Sequence, residues 1–222
     1  MSGEIEWRVE AAPVEYPAAL ALMEARVAAI RAGTAPELIW LLEHPPLYTA
    51  GTSATTAELL DPGSFPVFAT GRGGRYTYHG PGQRVVYVML DLDARCRDLR
   101  RFVGALEDWL VRTLAGLGVA AFTVPDRIGV WVDAGGGHAK IAALGIRVRR
   151  WVSFHGIALN IAPELGHYDG IVACGLAGYP VTSLAQLGNP ASLADADAAF
   201  QRAFPGFLQQ LEGSFARPIK AA

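Results

Sequence analysis

The 222-residue chain has little cysteine, no long apolar run and almost no net charge. Each shortage removes a class of protein. Two cysteines, Cys96 and Cys174, cannot build a disulfide framework, so a reducing, cytoplasmic setting is expected. No CxxC or His/Cys cluster points to zinc, and no cofactor or metal is expected. The stretch AALALMEARVAAI is interrupted by Glu24 and Arg26, so no membrane span is expected. The N-terminus, MSGEIEWRVE, is acidic and lacks the apolar core of a secretory signal. A net charge of −2 gives no overall field toward nucleic acid. No repeat, low-complexity tract or linker divides the chain. Its length suits one domain over residues 1–222, with a large core.

What is present reads as mixed α/β. Ile5, Trp7 and Val9 alternate with polar residues, which predicts a strand over 4–10. Leu20, Met23, Val27 and Ile30 recur at helical spacing over 16–32, and Gly33 is placed to end that helix. ELIWLLE (37–43) is a short apolar strand stopped by His44-Pro45-Pro46, and LYTAG is another. RVVYVMLDL (84–92) is apolar at both parities, as a strand covered on both faces would be. Phe102, Leu106, Leu110, Leu114 and Leu117 lie along one stripe of a helix over 98–117. Short strands at AFTV and GVWV, a Gly135–Gly137 tip, and long strands over 139–151 and 153–161 follow. A C-terminal helix runs from about 192 to 211, bent near Pro205. Several strand connections are too short for a helical crossover, so the sheet is mixed and largely antiparallel, with flanking helices.

Three segments carry chemistry. GRGGRYTYHGPGQ (71–83) holds five glycines, two arginines and His79, too much glycine for a regular strand interior. It is either a wide turn or a loop that approaches a ligand closely. Lys140 opens a strand and, by simple alternation, shares a face with Ala142, Leu144, Ile146 and Val148. A lysine on an apolar face either snorkels to water or sits beside an anion, and a thiolate would suit. Cys174, between Ile171-Val172-Ala173 and Gly175, is either a small buried hydrophobe or, with Gly170, Gly175 and Gly178 leaving the backbone bare around it, an accessible thiol. A neighbouring cation would make it nucleophilic. His44, His79 and His155 stand in suggestive places without an obvious acidic partner.

Together, RGGRYTYHGPGQ (72–83), KIAALGIRVRRWVSFHGIALN (140–160) and the Cys174-Gly175…Thr182-Ser183-Leu184 pattern resemble the octanoyltransferases of lipoate biosynthesis. LLEHPPLYTAGTSA (41–54) resembles that family's N-terminal block, and the likeness spans about residues 38–190. It implies the catalytic-domain fold shared with biotin- and lipoate-protein ligases. It implies transfer of an octanoyl group from octanoyl-acyl carrier protein to a lysine of lipoyl domains, those of 2-oxoacid dehydrogenases and the glycine cleavage H protein, by a monomer. Cys174 would be the acyl-thioester nucleophile and Lys140 the residue that lowers its pKa. Arg72, Gly73, Gly74, Arg75, Tyr76, Thr77, Tyr78 and His79 would line the acyl substrate. Ala143, Leu144, Gly145, Gly156, Ile157 and Ala158 would line it too, the small residues Ala143, Gly145, Gly156 and Ala158 leaving room for the alkyl chain. Arg147, Arg149 and Arg150 are either a basic patch for the acidic carrier or a solvated strand edge. An ATP-dependent ligase of the same fold would lack the nucleophilic cysteine, and a non-catalytic carrier- or lipoyl-domain-binding module would bind without turnover.

Overall fold

The computed structural model describes residues 5–175 and 178–212, with the side chain of Cys174 outside the described part. Among the described residues ten strands and three α-helices follow one another. They are β1 (Ile5–Val9), α1 (Tyr16–Ala32), β2 (Glu37–Leu42), β3 (Leu47–Ala50), β4 (Val67–Ala69), β5 (Tyr76–His79), β6 (Gln83–Met89), α2 (Leu99–Ala115), β7 (Phe122–Val124), β8 (Arg127–Asp133), β9 (His138–Arg149), β10 (Val152–Asn160) and α3 (Leu193–Glu212). Seven strands form one sheet in the order β1-β2-β6-β10-β9-β8-β7, and three form a second in the order β4-β3-β5. The β1–β2 and β3–β4 pairs are parallel and the other pairs antiparallel. Among the described residues no helix is long and apolar enough to cross a membrane.

The large sheet is covered on both faces, which explains its unbroken apolar strands. Leu38, Trp40 and Leu42 of β2, with Val85, Tyr87 and Met89 of β6, pack against Ala19, Met23, Val27 and Ile30 of α1. The alternate residues, Ile39, Leu41, Val86 and Val88, meet α2 and α3 on the other face. There Trp109 stacks on Phe207 at 4.9 Å and meets Phe200 edge-on at 5.3 Å. The helix ends follow local chemistry. Asp98 caps α2 by accepting from the Arg100 and Arg101 amides, and Gly33 ends α1 at φ 71°. Pro205 lies within α3.

The glycine-rich segment departs from expectation. Its centre is a strand, β5, paired along its length with β3. The glycines lie on either side of YTYH. Alternation within that strand sends Tyr76 and Tyr78 into a small aromatic core with Tyr48, Tyr168 and Ile171. Thr77 and His79 point the other way.

Candidate functional site

Thr77 and His79 of β5 face Ala143, Gly145, Gly156 and Ala158 of β9 and β10 across a cavity of about 430 Å³. That volume lies in the range of small-molecule sites. Tyr16, Thr49, Arg72, Gly73, Gly74, Arg75, Tyr87, Leu144, Ile157, His155 and Lys140 complete much of the lining. Tyr76 and Tyr78 do not line it; they belong to the aromatic core behind.

Two of the four small residues expected to leave room do something else. At Gly145 the space is filled: a Cβ would lie 2.8 Å from Arg72 Cδ and 3.2 Å from the Gly73 carbonyl. The glycine therefore seats the loop, whose Gly73 amide donates to the Ile146 carbonyl at 2.9 Å. At Gly156 a Cβ would meet the Val86 carbonyl at 2.2 Å, so that glycine admits the neighbouring strand. Ala143 and Ala158 remain as cavity lining.

Arg72 is buried, and its guanidinium ties the loop together. It donates to the Thr49 carbonyl (2.8 Å) and hydroxyl (2.6 Å) and to the Arg75 and Gly73 carbonyls (both 3.0 Å). Three histidines gather near it. The His44 Nδ1–H donates to the Val14 carbonyl at 2.6 Å, which leaves Nε2 to accept from the Tyr87 hydroxyl at 2.7 Å. Gln83 donates through Nε2 to the Tyr168 hydroxyl and Asn160 Oδ1, so its Oε1 accepts from His79 Nδ1 at 2.7 Å. His79 Nε2 then carries a lone pair, 3.4 Å from the Thr49 hydroxyl. His155 Nε2 lies 3.3 Å from the Tyr16 hydroxyl.

Burial pushes His44 down to about 4. Burial, then the Arg72 and Arg147 charges, push His155 down to about 3. Burial, His44 and Arg72 hold His79 well below the ordinary range. Burial raises Tyr16 to about 12. All four are neutral at pH 7. This wall offers uncharged donors and acceptors around an apolar slot.

His155 reaches the wall by strain. It has φ 60° inside β10, and its ring lies stacked beside its neighbour Phe154 at 5.0 Å. Strict alternation would put the two rings on opposite faces. A left-handed non-glycine residue in a strand costs about 1–3 kcal/mol and is concentrated at functional positions.

Lys140 supplies the site's ammonium, and its face differs from the one alternation predicts. Val130 pairs with Ala142 while the next residue of β8, Trp131, pairs with Lys140, so Ile141 is an extra residue in β9. Ala139, Ile141 and Ala142 all enter the core. Beyond the bulge the parity is inverted, and Lys140 faces the cavity with Ala143 and Gly145. Its Nζ donates to the Ile128 carbonyl at 2.9 Å and lies 4.8 Å from the centre of the Trp131 ring. It is only 6% exposed.

The arginines of β9 do not form one exposed patch. Arg147 is half-buried, over Phe154 and against Gly71, and Arg149 pairs with Glu24 at 3.0 Å.

Backbone ties join the three sequence segments. The stem of Arg75 fills the space beside Gly175, which has φ 67°, while its guanidinium pairs with Glu58. The Val172 amide donates to the Glu58 carbonyl at 2.7 Å. On the far side of that loop, the Lys140 amide donates to the Pro180 carbonyl and the Thr182 amide to the Lys140 carbonyl, both at 2.9 Å. Asn160 Nδ2 donates to the Thr182 carbonyl at 3.0 Å. Cys174 sits in the short turn Ala173–Gly175 between these anchors, and its thiol lies outside the described residues. Cys96 is buried near the start of α2. Sequence reasoning missed Tyr16, Thr49, Gln83, Tyr87, Asn160 and Tyr168. Gln83 and Asn160 lay inside the motifs, and only their contacts reveal that they join them. Among the described residues no group of three or more His, Cys, Asp or Glu is placed to hold a metal.

Comparison with known proteins bears on the family and the fold. Residues 15–205 match the family described as lipoyl protein ligase A/B catalytic domain. An octanoyltransferase from Rhizorhabdus wittichii is 60% identical over 211 residues, covering 95% of each chain. A bi-partite lipoate protein ligase from Thermoplasma acidophilum superposes with a TM-score of 0.68 at 16% identity, over 93% of this chain and 85% of that one. A biotin protein ligase from Aquifex aeolicus, in complex with biotin and ATP, gives 0.56 at 12% identity, over 94% and 71%. The two structural likenesses speak for the fold alone, the mixed, mostly antiparallel sheet with flanking helices. With a match this long and relatives this similar, the chain belongs to the lipoyl protein ligase A/B catalytic-domain family, as one of its octanoyltransferases.

Proposed function

We propose that the protein moves an octanoyl group from octanoyl-acyl carrier protein to a lysine of a lipoyl domain through a thioester on Cys174. The observation that carries this reading is Lys140, a buried ammonium held by a carbonyl rather than a carboxylate, lining an apolar cavity. A cation about 4 Å from a thiolate stabilises it by about 4 kcal/mol at an effective dielectric constant of about 20. The Cys174 thiolate attacks the donor's thioester carbonyl, and the tetrahedral oxyanion collapses with loss of the carrier's thiolate. One thioester replaces another, so no ATP is consumed. The alkyl chain lies against Ala143, Ala158 and Val85, each buried methylene contributing about 0.8 kcal/mol. The acceptor lysine then attacks as a neutral amine and expels the Cys174 thiolate, and its proton passes to a base. Of the described groups lining the cavity, neutral His79 offers an Nε2 lone pair that can relay it. The acceptors in this reading are lipoyl domains of 2-oxoacid dehydrogenases and the glycine cleavage H protein, served by a cytoplasmic, monomeric enzyme of one domain.

Intact mass spectrometry tests the covalent step. With octanoyl-carrier protein and no ATP, the chain is expected to gain one octanoyl group that hydroxylamine removes, and Cys174→Ala to gain none. An adduct that persists in Cys174→Ala, or one that forms only with ATP, overturns it.

A further inference from the structure

Lys140 depends on a peptide unit whose other end is held from α2. The Ile128–Gly129 peptide accepts from Lys140 Nζ through its carbonyl, and its N–H donates to Glu107 Oε1 at 2.9 Å. The two ends of a trans peptide point in opposite directions. A carboxylate, one peptide dipole and an ammonium therefore stand in line, each oriented to stabilise the next. Gly129 makes this possible. It has φ 128°, and a Cβ there would lie 2.8 Å from the Ala142 carbonyl and 3.0 Å from Lys140 Cε. The same freedom lets a peptide beside glycine rotate unless something holds it.

Glu107 is suited to hold it. It is half-buried on α2, one turn beyond Val103, which itself lines the cavity. Burial raises its carboxyl first; the Gly129 hydrogen bond and the Lys140 charge lower it, and neighbouring Asp108 raises it. The nearby Arg127 lies over the Tyr179 ring at 4.1 Å.

We propose that Glu107 is a positioning residue for Lys140, fixing the Ile128–Gly129 peptide so that its carbonyl aims the ammonium into the cavity. The proposal rests on the reading that Lys140 serves Cys174, and the test separates the two. Glu107→Gln keeps an acceptor for the Gly129 amide without the charge, whereas Glu107→Ala removes both. Lys140 and Lys220 are the sequence's only lysines, so protein labelled at lysine gives just two side-chain signals. Three readouts are compared: the Lys140 resonance, Cys174 thiolate absorbance against pH with Cys174→Ala subtracted, and the single-turnover acylation rate. Glu107→Ala is expected to shift the Lys140 resonance, raise the thiol midpoint and slow acylation by roughly 10- to 100-fold, the scale of a small misplacement at a reacting group. Glu107→Gln is expected to recover most of the rate. An unchanged Lys140 signal in Glu107→Ala overturns the proposal, as does a loss of rate that merely follows a loss of thermal stability. If the Lys140 signal shifts but Lys140→Ala leaves the thiol midpoint unmoved, it is the role of Lys140 toward Cys174 that fails.

Discussion

A methyl group at Gly145 meets Arg72 and the Gly73 carbonyl, whereas one at Gly156 meets backbone of β6. The two substitutions should therefore act differently. Gly145→Ala pushes the glycine loop outward, so transfer should fall several-fold with a raised KM for the acyl donor and little change in melting temperature. Gly156→Ala has no side chain to displace, and it should cost about 1–3 kcal/mol in urea unfolding, the usual penalty for overpacking. If both variants lose stability equally, the distinction is wrong. At this scale the sequence announced residues without their contacts. Lys140 stood out by type, but a bulge one residue away reversed its face. Alternation counts residues and has no term for an extra one. Tyr76 and Tyr78 shared the motif with His79 but serve a core behind the site. His155 reaches the cavity wall only through a backbone conformation that its side chain does not favour.

The helices and the central strands were legible because period carries them. Met23, Val27 and Ile30 face one side of β2 and β6, and Phe102, Leu106 and Trp109 the other. Strand β5 was hidden because glycine count outweighed the Tyr-Thr-Tyr-His alternation, and β3 is what makes it a strand. The β9–β10 hairpin turns through Arg150 and Trp151 at φ 50° and 64°. Two left-handed residues match the turn that suits twisted strands, usually written with Asn and Gly. A left-handed non-glycine residue costs about 1–2 kcal/mol. Arg150→Asn should thus stabilise the protein by about 0.5–1 kcal/mol, read as a higher urea midpoint at unchanged m-value. Between elements, Glu37 at the start of β2 pairs with Arg95, and both side chains are almost fully buried. Glu37→Ala leaves a guanidinium without that carboxylate and should cost about 3–5 kcal/mol.

Across the whole molecule, three neutral histidines make stability depend on pH. His44 and His155 titrate near 6.5 when unfolded but at about 4 and about 3 when folded. Below about pH 6.5 the unfolded chain takes up protons that the folded one refuses, so stability falls as pH falls. The slope approaches roughly 1.4 kcal/mol per pH unit for each such histidine, until pH reaches the folded value. Urea midpoints at pH 7 and pH 5 should differ accordingly, and His44→Gln should flatten the difference. A flat profile in the native chain would mean that these rings are charged when folded.

An enzyme that carries an activated acyl group and hands it to amines is exposed to its own amines. Of the 19 Lys and Arg residues only Lys140 and Lys220 are lysines, and Lys140 borders the cavity itself. A guanidinium is a poor acceptor at neutral pH, and an ammonium has no lone pair. On the reading proposed above, the line from Glu107 through one peptide to Lys140 guards as well as aims: the Ile128 carbonyl holds Lys140 Nζ as a hydrogen-bond donor while a foreign amine is acylated. Glu107→Ala, loaded with octanoyl donor and given no lipoyl domain, should slowly acquire a hydroxylamine-resistant octanoyl amide on Lys140, visible by peptide mass spectrometry and absent from the native chain.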